Sequence, residues 1–254
     1  MAHSVSQEAK QRPADKPNVQ SGEKTDKSEN PAQIQLLETK VRFETNGDSR
    51  KEVHALVKIH SELGVRQFAQ LNFDFNRSFE SVEIPLVHIT HASGGTSDIL
   101  PSAVTDHSNP AVVNAPAYQD VRVKSVRILG LQPGDTLEYR VTRAVSHHPL
   151  APDFWLDHSF DRTGVVSCEI FELDLPSLPS VRIQINPETP PDRSPAPSDE
   201  KAERVIYHWT RRQSPESGSG KEAAKSAADV SLTTFRSWNQ LADRLASLLI
   251  PSEQ

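Results

Sequence analysis

Between Leu36 and Ile185 apolar and polar side chains alternate with a period of two, the pattern of strands that bury one face. The clearest case places Val53, Ala55, Val57 and Ile59 on one side and Glu52, His54, Lys58 and His60 on the other, with only Leu56 out of phase. Thr39, Val41 and Phe43 form the preceding strand. Asn46 and Gly47, which tolerate positive φ, predict a tight hairpin between the two. Further strands are predicted over Gln67–Asp74, Ser81–Thr90, Val121–Leu129, Thr136–Val145 and Val165–Leu175. In the last, Val166, Cys168 and Ile170 share one phase and Phe171, Leu173 and Leu175 the other, which predicts a β-bulge. The turn Gly130–Asp135 reads GLQPGD and predicts that Val126–Leu129 and Leu137–Val141 are antiparallel neighbours. Ala92–Gln119 lacks periodicity and is expected to cross the sandwich as a loop. Only Ser237–Ile250 reads as helix: Ser237 and Gln240 have capping-box spacing, and Trp238, Leu241, Leu245, Leu248 and Leu249 form one stripe before Pro251.

Many short strands separated by turns imply an all-β, antiparallel β-sandwich with one C-terminal amphipathic helix. Residues 1–33 carry no aromatic side chain and balance five basic against five acidic residues, so they read as a disordered tail. The sandwich domain spans 34–210 and contains a proline-rich insert at 186–204. Residues 211–230 form a low-complexity linker, and 231–254 hold the helix. The short island Val205–Thr210 can be stable only by pairing with the main sheet.

Charge and composition then narrow the chemistry. The 254 residues carry 28 Lys and Arg against 34 Asp and Glu, a net charge of -6 that argues against nucleic-acid binding. A single cysteine excludes an internal disulfide and a Cys-x-x-Cys metal or redox site. No apolar run reaches the roughly 18 residues of a membrane-spanning helix. The first residues, MAHSVSQEAKQRPAD, lack the apolar core of a signal peptide, which predicts a cytoplasmic protein if Met1 is the true start.

Taken in order, VRFETNGDSRKEVHA from Val41, SELGVRQ from Ser61, GLQPGDTLEY from Gly130, Phe154-Trp155, YHW from Tyr207 and TTFRSW from Thr233 resemble a bacterial domain of unknown function. That domain lies N-terminal to transglutaminase-like catalytic domains of papain-like fold. The resemblance runs from about Leu36 to Trp238. It implies an immunoglobulin-like accessory module with no assigned biochemical role, whose partner is a transglutaminase-like domain in cis or in trans. Arg244 and Leu245 stand where the relatives carry an aromatic pair, and the relatives' catalytic Cys, His and Asp would lie beyond Gln254. This chain is therefore expected to be the accessory half without its enzyme.

Cys168, flanked by Val166 and Ile170, is expected to be a small buried hydrophobe rather than a nucleophile. Gly134-Asp135-Thr136 imitates a Gly-Asp-Cys motif but reads as a structural turn. His147, His148, Asp157 and His158 are the weak metal candidates, and a metal-dependent hydrolase at that corner is the weakest function considered. No Gly-x-Ser-x-Gly elbow marks a serine hydrolase, and the GSG at Gly218 lies in the linker. Tyr118, Trp155, Tyr207, Trp209 and Trp238 are the candidate binding residues, with core packing as the competing role, Trp155 and Trp209 facing inward. The expected function is a non-catalytic accessory or interaction module with no cofactor. The alternative is a stand-alone peptide- or glycan-binding sandwich, using the Val205–Thr210 edge or an aromatic patch.

Overall fold

The computed structural model describes residues 30–193, 203–213 and 228–249. The strands are β1 (Ala32–Phe43), β2 (Ser49–Ile59), β3 (Gln70–Asn76), β4 (Glu80–Thr90), β5 (Thr96–Asp98), β6 (Val104–Ser108) and β7 (Val121–Arg127). They continue with β8 (Thr136–Val145), β9 (Trp155–His158), β10 (Cys168–Pro176), β11 (Arg182–Ile185), β12 (Arg204–Arg212) and β13 (Val230–Thr233). Two α-helices, α1 (Glu62–Phe68) and α2 (Trp238–Leu249), complete the described regular structure with three short 3-10 turns. A seven-stranded sheet in the order β12-β10-β1-β2-β8-β4-β5 faces two three-stranded sheets, β3-β7-β6 and β11-β13-β9.

Alternation explains why both small sheets cover the same face of the large one. Ala55, Val57 and Ile59 of β2 and Leu137 of β8 point with Val87 and Ile89 of β4 toward Val126 of β7, forming one core. Val41 and Phe43 of β1, Phe171, Leu173 and Leu175 of β10 and Trp209 of β12 form a second core against Val230 and Leu232 of β13. The opposite face of the large sheet carries charged ladders. There His54 Nε2 meets Glu138 Oε1 at 2.8 Å, and Lys40 pairs with Glu38 at 3.2 Å.

The Asn46-Gly47 hairpin forms as its residues require. Phe43 pairs with Ser49, and Gly47 has φ +86°. A Cβ at Gly47 would come within 2.9 Å of the Pro152 carbonyl carbon and oxygen, so strain and close approach act together. Gly47→Ala is expected to cost about 2 kcal/mol, read as a lower urea midpoint with an unchanged m-value.

Several expectations change. Ala32 and Gln33 belong to β1 rather than to a tail. Ala32 is buried, and the Gln33 amide donates to the carbonyls of Gly164 and Val165 at 3.1 and 2.8 Å. Residues 1–29 lie outside the described residues. Gln67 and Phe68 end a helix that periodicity did not reveal, started by Ser61, whose hydroxyl accepts the Gly64 N–H. The GLQPGD turn does not join neighbours, since β7 pairs with β3 and β6 while β8 pairs with β2 and β4. The reason is that the turn docks onto the end of β2: Gly134 N–H donates to the Ile59 carbonyl and Ile59 N–H to the Asp135 carbonyl, at 2.8 and 2.9 Å. Asp135 braces this turn, its buried carboxylate accepting the N–H groups of Ala92 and Gln132.

β10 shows no phase switch. Its register to β1 and β12 is continuous, and Glu169, Phe171, Leu173 and Leu175 form one buried row. The bulge lies instead in β1, where Gln35 is the extra residue between the Ile34 and Leu36 pairings to β2. A second irregularity in β4 spans Ile84 and Pro85, a place where a residue without an N–H is tolerated. Cys168 therefore points away from the core row and is half-buried rather than sealed.

Candidate functional site

The outer face of β11-β13-β9 follows directly from its alternation. Ile183, Leu232, Val230 and Leu156 pack inward, leaving Arg182, Thr233 and Trp155 in one outward row and Gln184, Ser231 and Asp157 in the next. The chain after β13 turns back over this face. Thr234 fastens the turn: its hydroxyl accepts the Phe154 N–H and donates to Asp153 Oδ1, both at 3.0 Å. Ser237 then caps α2 by accepting the Gln240 N–H at 3.2 Å, and the Gln240 side chain returns to accept the Arg236 N–H at 2.7 Å. This is the reciprocal cap that the sequence spacing predicted, displaced by one residue on its second arm.

A groove of about 830 Å³ opens between this sheet and α2, lined by Leu150, Trp155, Phe235, Trp238, Leu241 and Leu245 among others. Arg244 anchors the helix by donating to the Ala151 carbonyl at 2.7 Å. Even so, α2 has no buried residue: Trp238 is 85% and Leu249 83% exposed. Trp155, 47% exposed, is held edge-on by His148 at 5.5 Å and lies 6.0 Å from the Phe235 ring. Burial lowers the His148 pKa, with Glu80 opposing, so its ring serves as a neutral aromatic wall.

Of the candidate binding residues, the fold unites Trp155 and Trp238 at this groove. It separates the rest. Trp209 is fully buried, donates its indole N–H to the Thr189 carbonyl at 3.0 Å, and cannot present a surface. Tyr207 stacks on Trp209 at 5.9 Å within the second core. Tyr118 is exposed in the 3-10 turn Pro116–Tyr118, away from both. Phe235, Leu150 and Arg182 are groove residues that sequence reasoning missed. The TTFRSW motif contained the first, but nothing local announced that it would meet Trp155.

The histidine corner does not converge. Asp157 faces the groove while its neighbour His158 points into the core, stacked on Phe171 at 3.8 Å. His147 is exposed at φ +55°, and among the described residues no group of three or more His, Cys, Asp or Glu is placed to hold a metal ion. Adjacent positions on a strand project to opposite faces, which is why sequence proximity misled here.

The Val205–Thr210 strand pairs with β10 and forms the edge of the large sheet, as its isolation demanded. Its outer side is partly occupied by the chain itself. Arg193 exchanges backbone hydrogen bonds with His208 at 3.3 and 3.1 Å, and Asp192 accepts the Thr210 N–H. That arrangement leaves little of the edge for a peptide to extend. Residues 194–202 of the proline-rich insert, 214–227 of the linker including Gly218, and 250–254 lie outside the described residues.

A protein-family model described as a domain of unknown function with solved structure, DUF3857, matches residues 45–217. The chain belongs to this family. The matched span of the DUF3857 domain covers β2 through β12, so the groove's outer wall, β13 and α2, lies just past it. No curated protein matches the sequence. A crystal structure of a putative protease from Parabacteroides distasonis shares the fold at a TM-score of 0.71 and 15% identity, covering 88% of this chain and 44% of that one. An M1 zinc metallopeptidase from Deinococcus radiodurans is similar at a TM-score of 0.39 and 10% identity, covering 80% of this chain and 42% of the other. The chain thus spans less than half the length of either solved protein.

Proposed function

We propose that this DUF3857 domain is an interaction module that packs, through the α2 stripe and the adjoining groove, against a transglutaminase-like catalytic domain in cis or in trans. One observation carries the reading: an amphipathic helix is anchored at Arg244 yet buries none of its residues, leaving Trp238, Leu245 and Leu249 open beside an aromatic groove. An apolar stripe of this kind marks an interaction surface rather than a solvated one. The ordered motifs shared with the transglutaminase-associated domain supply the partner's class. The 44% coverage of a longer solved chain is in keeping with a module that works inside a larger protein.

The reading assigns no chemistry to Cys168, which is half-buried on the face opposite the core row. Purified protein should release no ammonia or amine from peptide amides, and Cys168→Ala should change nothing. Amide hydrolysis lost in that variant would overturn the assignment. Binding to a purified transglutaminase-like domain, followed by calorimetry, should weaken at least about tenfold in Trp238→Glu/Leu245→Glu. Both positions are exposed, so the melting temperature should hold. Equal binding by the double variant would place the interface elsewhere.

A further inference from the structure

The β4–β5 hairpin holds a side-chain relay that the interaction reading does not use. Asp135, almost wholly buried, brings Oδ2 to 3.0 Å from His91 Nδ1, and His91 Nε2 lies 3.0 Å from the Ser97 hydroxyl. The carboxylate also accepts the N–H groups of Ala92 and Gln132 at 2.9 Å. Burial pushes its pKa up, but these bonds and His91 outweigh that and hold it below the usual carboxylate range. An ionised Asp135 fixes His91 with its Nδ1 proton toward the carboxylate, so Nε2 is left as the acceptor for Ser97. Capping the turn needs only the two backbone bonds. The oriented imidazole and the hydroxyl beyond it are additional.

Ser97 lines a cavity of about 700 Å³, within the size range of small-molecule sites, whose walls combine the apolar Ile99, Leu100 and Leu129 with polar groups that include Gln70, Asp98 and Arg127. A nucleophile bonded to a base, with the base oriented by a third group, is the signature of covalent catalysis. Such sites are recognised by geometry rather than by chain order. The order here, His91, Ser97, Asp135, contains no Gly-x-Ser-x-Gly elbow, so no sequence motif marks it.

We propose that Ser97 is an acyl-accepting nucleophile, with His91 as general base and Asp135 as orienting carboxylate, for esters of short apolar acids. Ser97 Oγ attacks the ester carbonyl carbon as its proton passes to His91 Nε2. The Oγ–carbon bond forms, the bond to the alcohol oxygen breaks, and His91 returns the proton to the departing alkoxide. Water, deprotonated by His91, then attacks the acyl-serine, releasing the acid and restoring the hydroxyl. The inference is independent of the interaction reading, since the groove lies at the other small sheet.

The test incubates the full chain with 4-nitrophenyl butyrate or a fluorophosphonate and maps adducts by mass spectrometry. Ser97 should be modified in the folded protein, not after Ser97→Ala, and at least ~100-fold more slowly after His91→Gln. An unmodified Ser97, or an unchanged rate in a folded His91→Gln variant, overturns the proposal. Should His91→Gln fail to fold, Ser97→Cys supplies an internal comparison. The relay should make the new thiol react with iodoacetamide at least about tenfold faster than Cys168 in the same molecule, and equal or slower reaction overturns the proposal.

Discussion

Replacement of Asp229 by alanine is expected to lower the unfolding free energy by about 3–5 kcal/mol, a large part of the roughly 5–15 kcal/mol that holds a typical domain together. The Asp229 side chain has no exposure, yet it accepts from four donors on two separate segments, two from each. These are the Phe160 N–H at 2.9 Å, Arg162 Nη2 at 2.6 Å, Asn186 Nδ2 at 3.1 Å and the Thr189 hydroxyl at 3.2 Å. Removing the carboxylate strips the Phe160 N–H, Arg162 and Asn186 of this acceptor, leaves the Thr189 hydroxyl with only the Asn186 carbonyl at 3.4 Å, and leaves the Arg162 charge without its partner. Asp229→Asn, which keeps the volume but not the charge, should fall between wild type and Asp229→Ala in urea denaturation. Burial alone would raise the Asp229 pKa, but the Phe160 N–H and Arg162 reverse the direction and hold it below 3.8. Its stabilisation is therefore present above that value and fades as pH falls through the still lower folded pKa.

His158 sets a second limb, at milder pH. Burial, assisted by the Lys51 ammonium and opposed by Asp229, lowers its pKa from 6.5 to about 4. Its Nε2 lies 3.5 Å from Glu169 Oε1 without forming a hydrogen bond. Between pH 6.5 and about 4 the unfolded chain binds a proton that the folded ring refuses, so stability drops as pH falls across that window and this group adds no further loss below it. The shift corresponds to on the order of 3 kcal/mol. Glu169 runs the other way: burial raises its carboxyl, so its contribution diminishes as pH rises. His158→Phe keeps the stacking on Phe171 and removes the titrating group. The variant should lose most of the wild-type slope of denaturation midpoint against pH between 6.5 and 4 and should be the more stable protein at pH 4.5.

The elements most legible in the sequence were those whose contacts are local. Asn46-Gly47 with alternation on both sides specifies one hairpin, and Thr136–Val145 follows a turn with Leu137, Tyr139 and Val141 in one phase. What escaped depends on distant partners. Glu169 reads as a solvent-facing residue, and the Asp161 N–H, donating to it at 2.8 Å, makes its burial tolerable, so alternation alone assigns the wrong phase to β10 around Cys168. Proline and glycine at Gly130–Asp135 do form a turn, but local chemistry cannot say which sheet receives the chain afterwards. The Trp155–Trp238 groove and the Asp135–His91–Ser97 relay each join segments far apart in the chain, and no single window of sequence contains either.

The place of β1 between β2 and β10 has a consequence for the nascent chain. Its pairing with β2 is available as soon as the hairpin is made, whereas its other side pairs in parallel with a strand 132 positions later, Leu37 opposite Glu169. A polypeptide leaving the ribosome must therefore carry one unzipped β1 border through the synthesis of every intervening segment. Non-local closure of this kind is slow and leaves strand borders open to wrong partners. The growing chain's exposure to chaperones and to self-association is thus concentrated in the interval before β10 emerges.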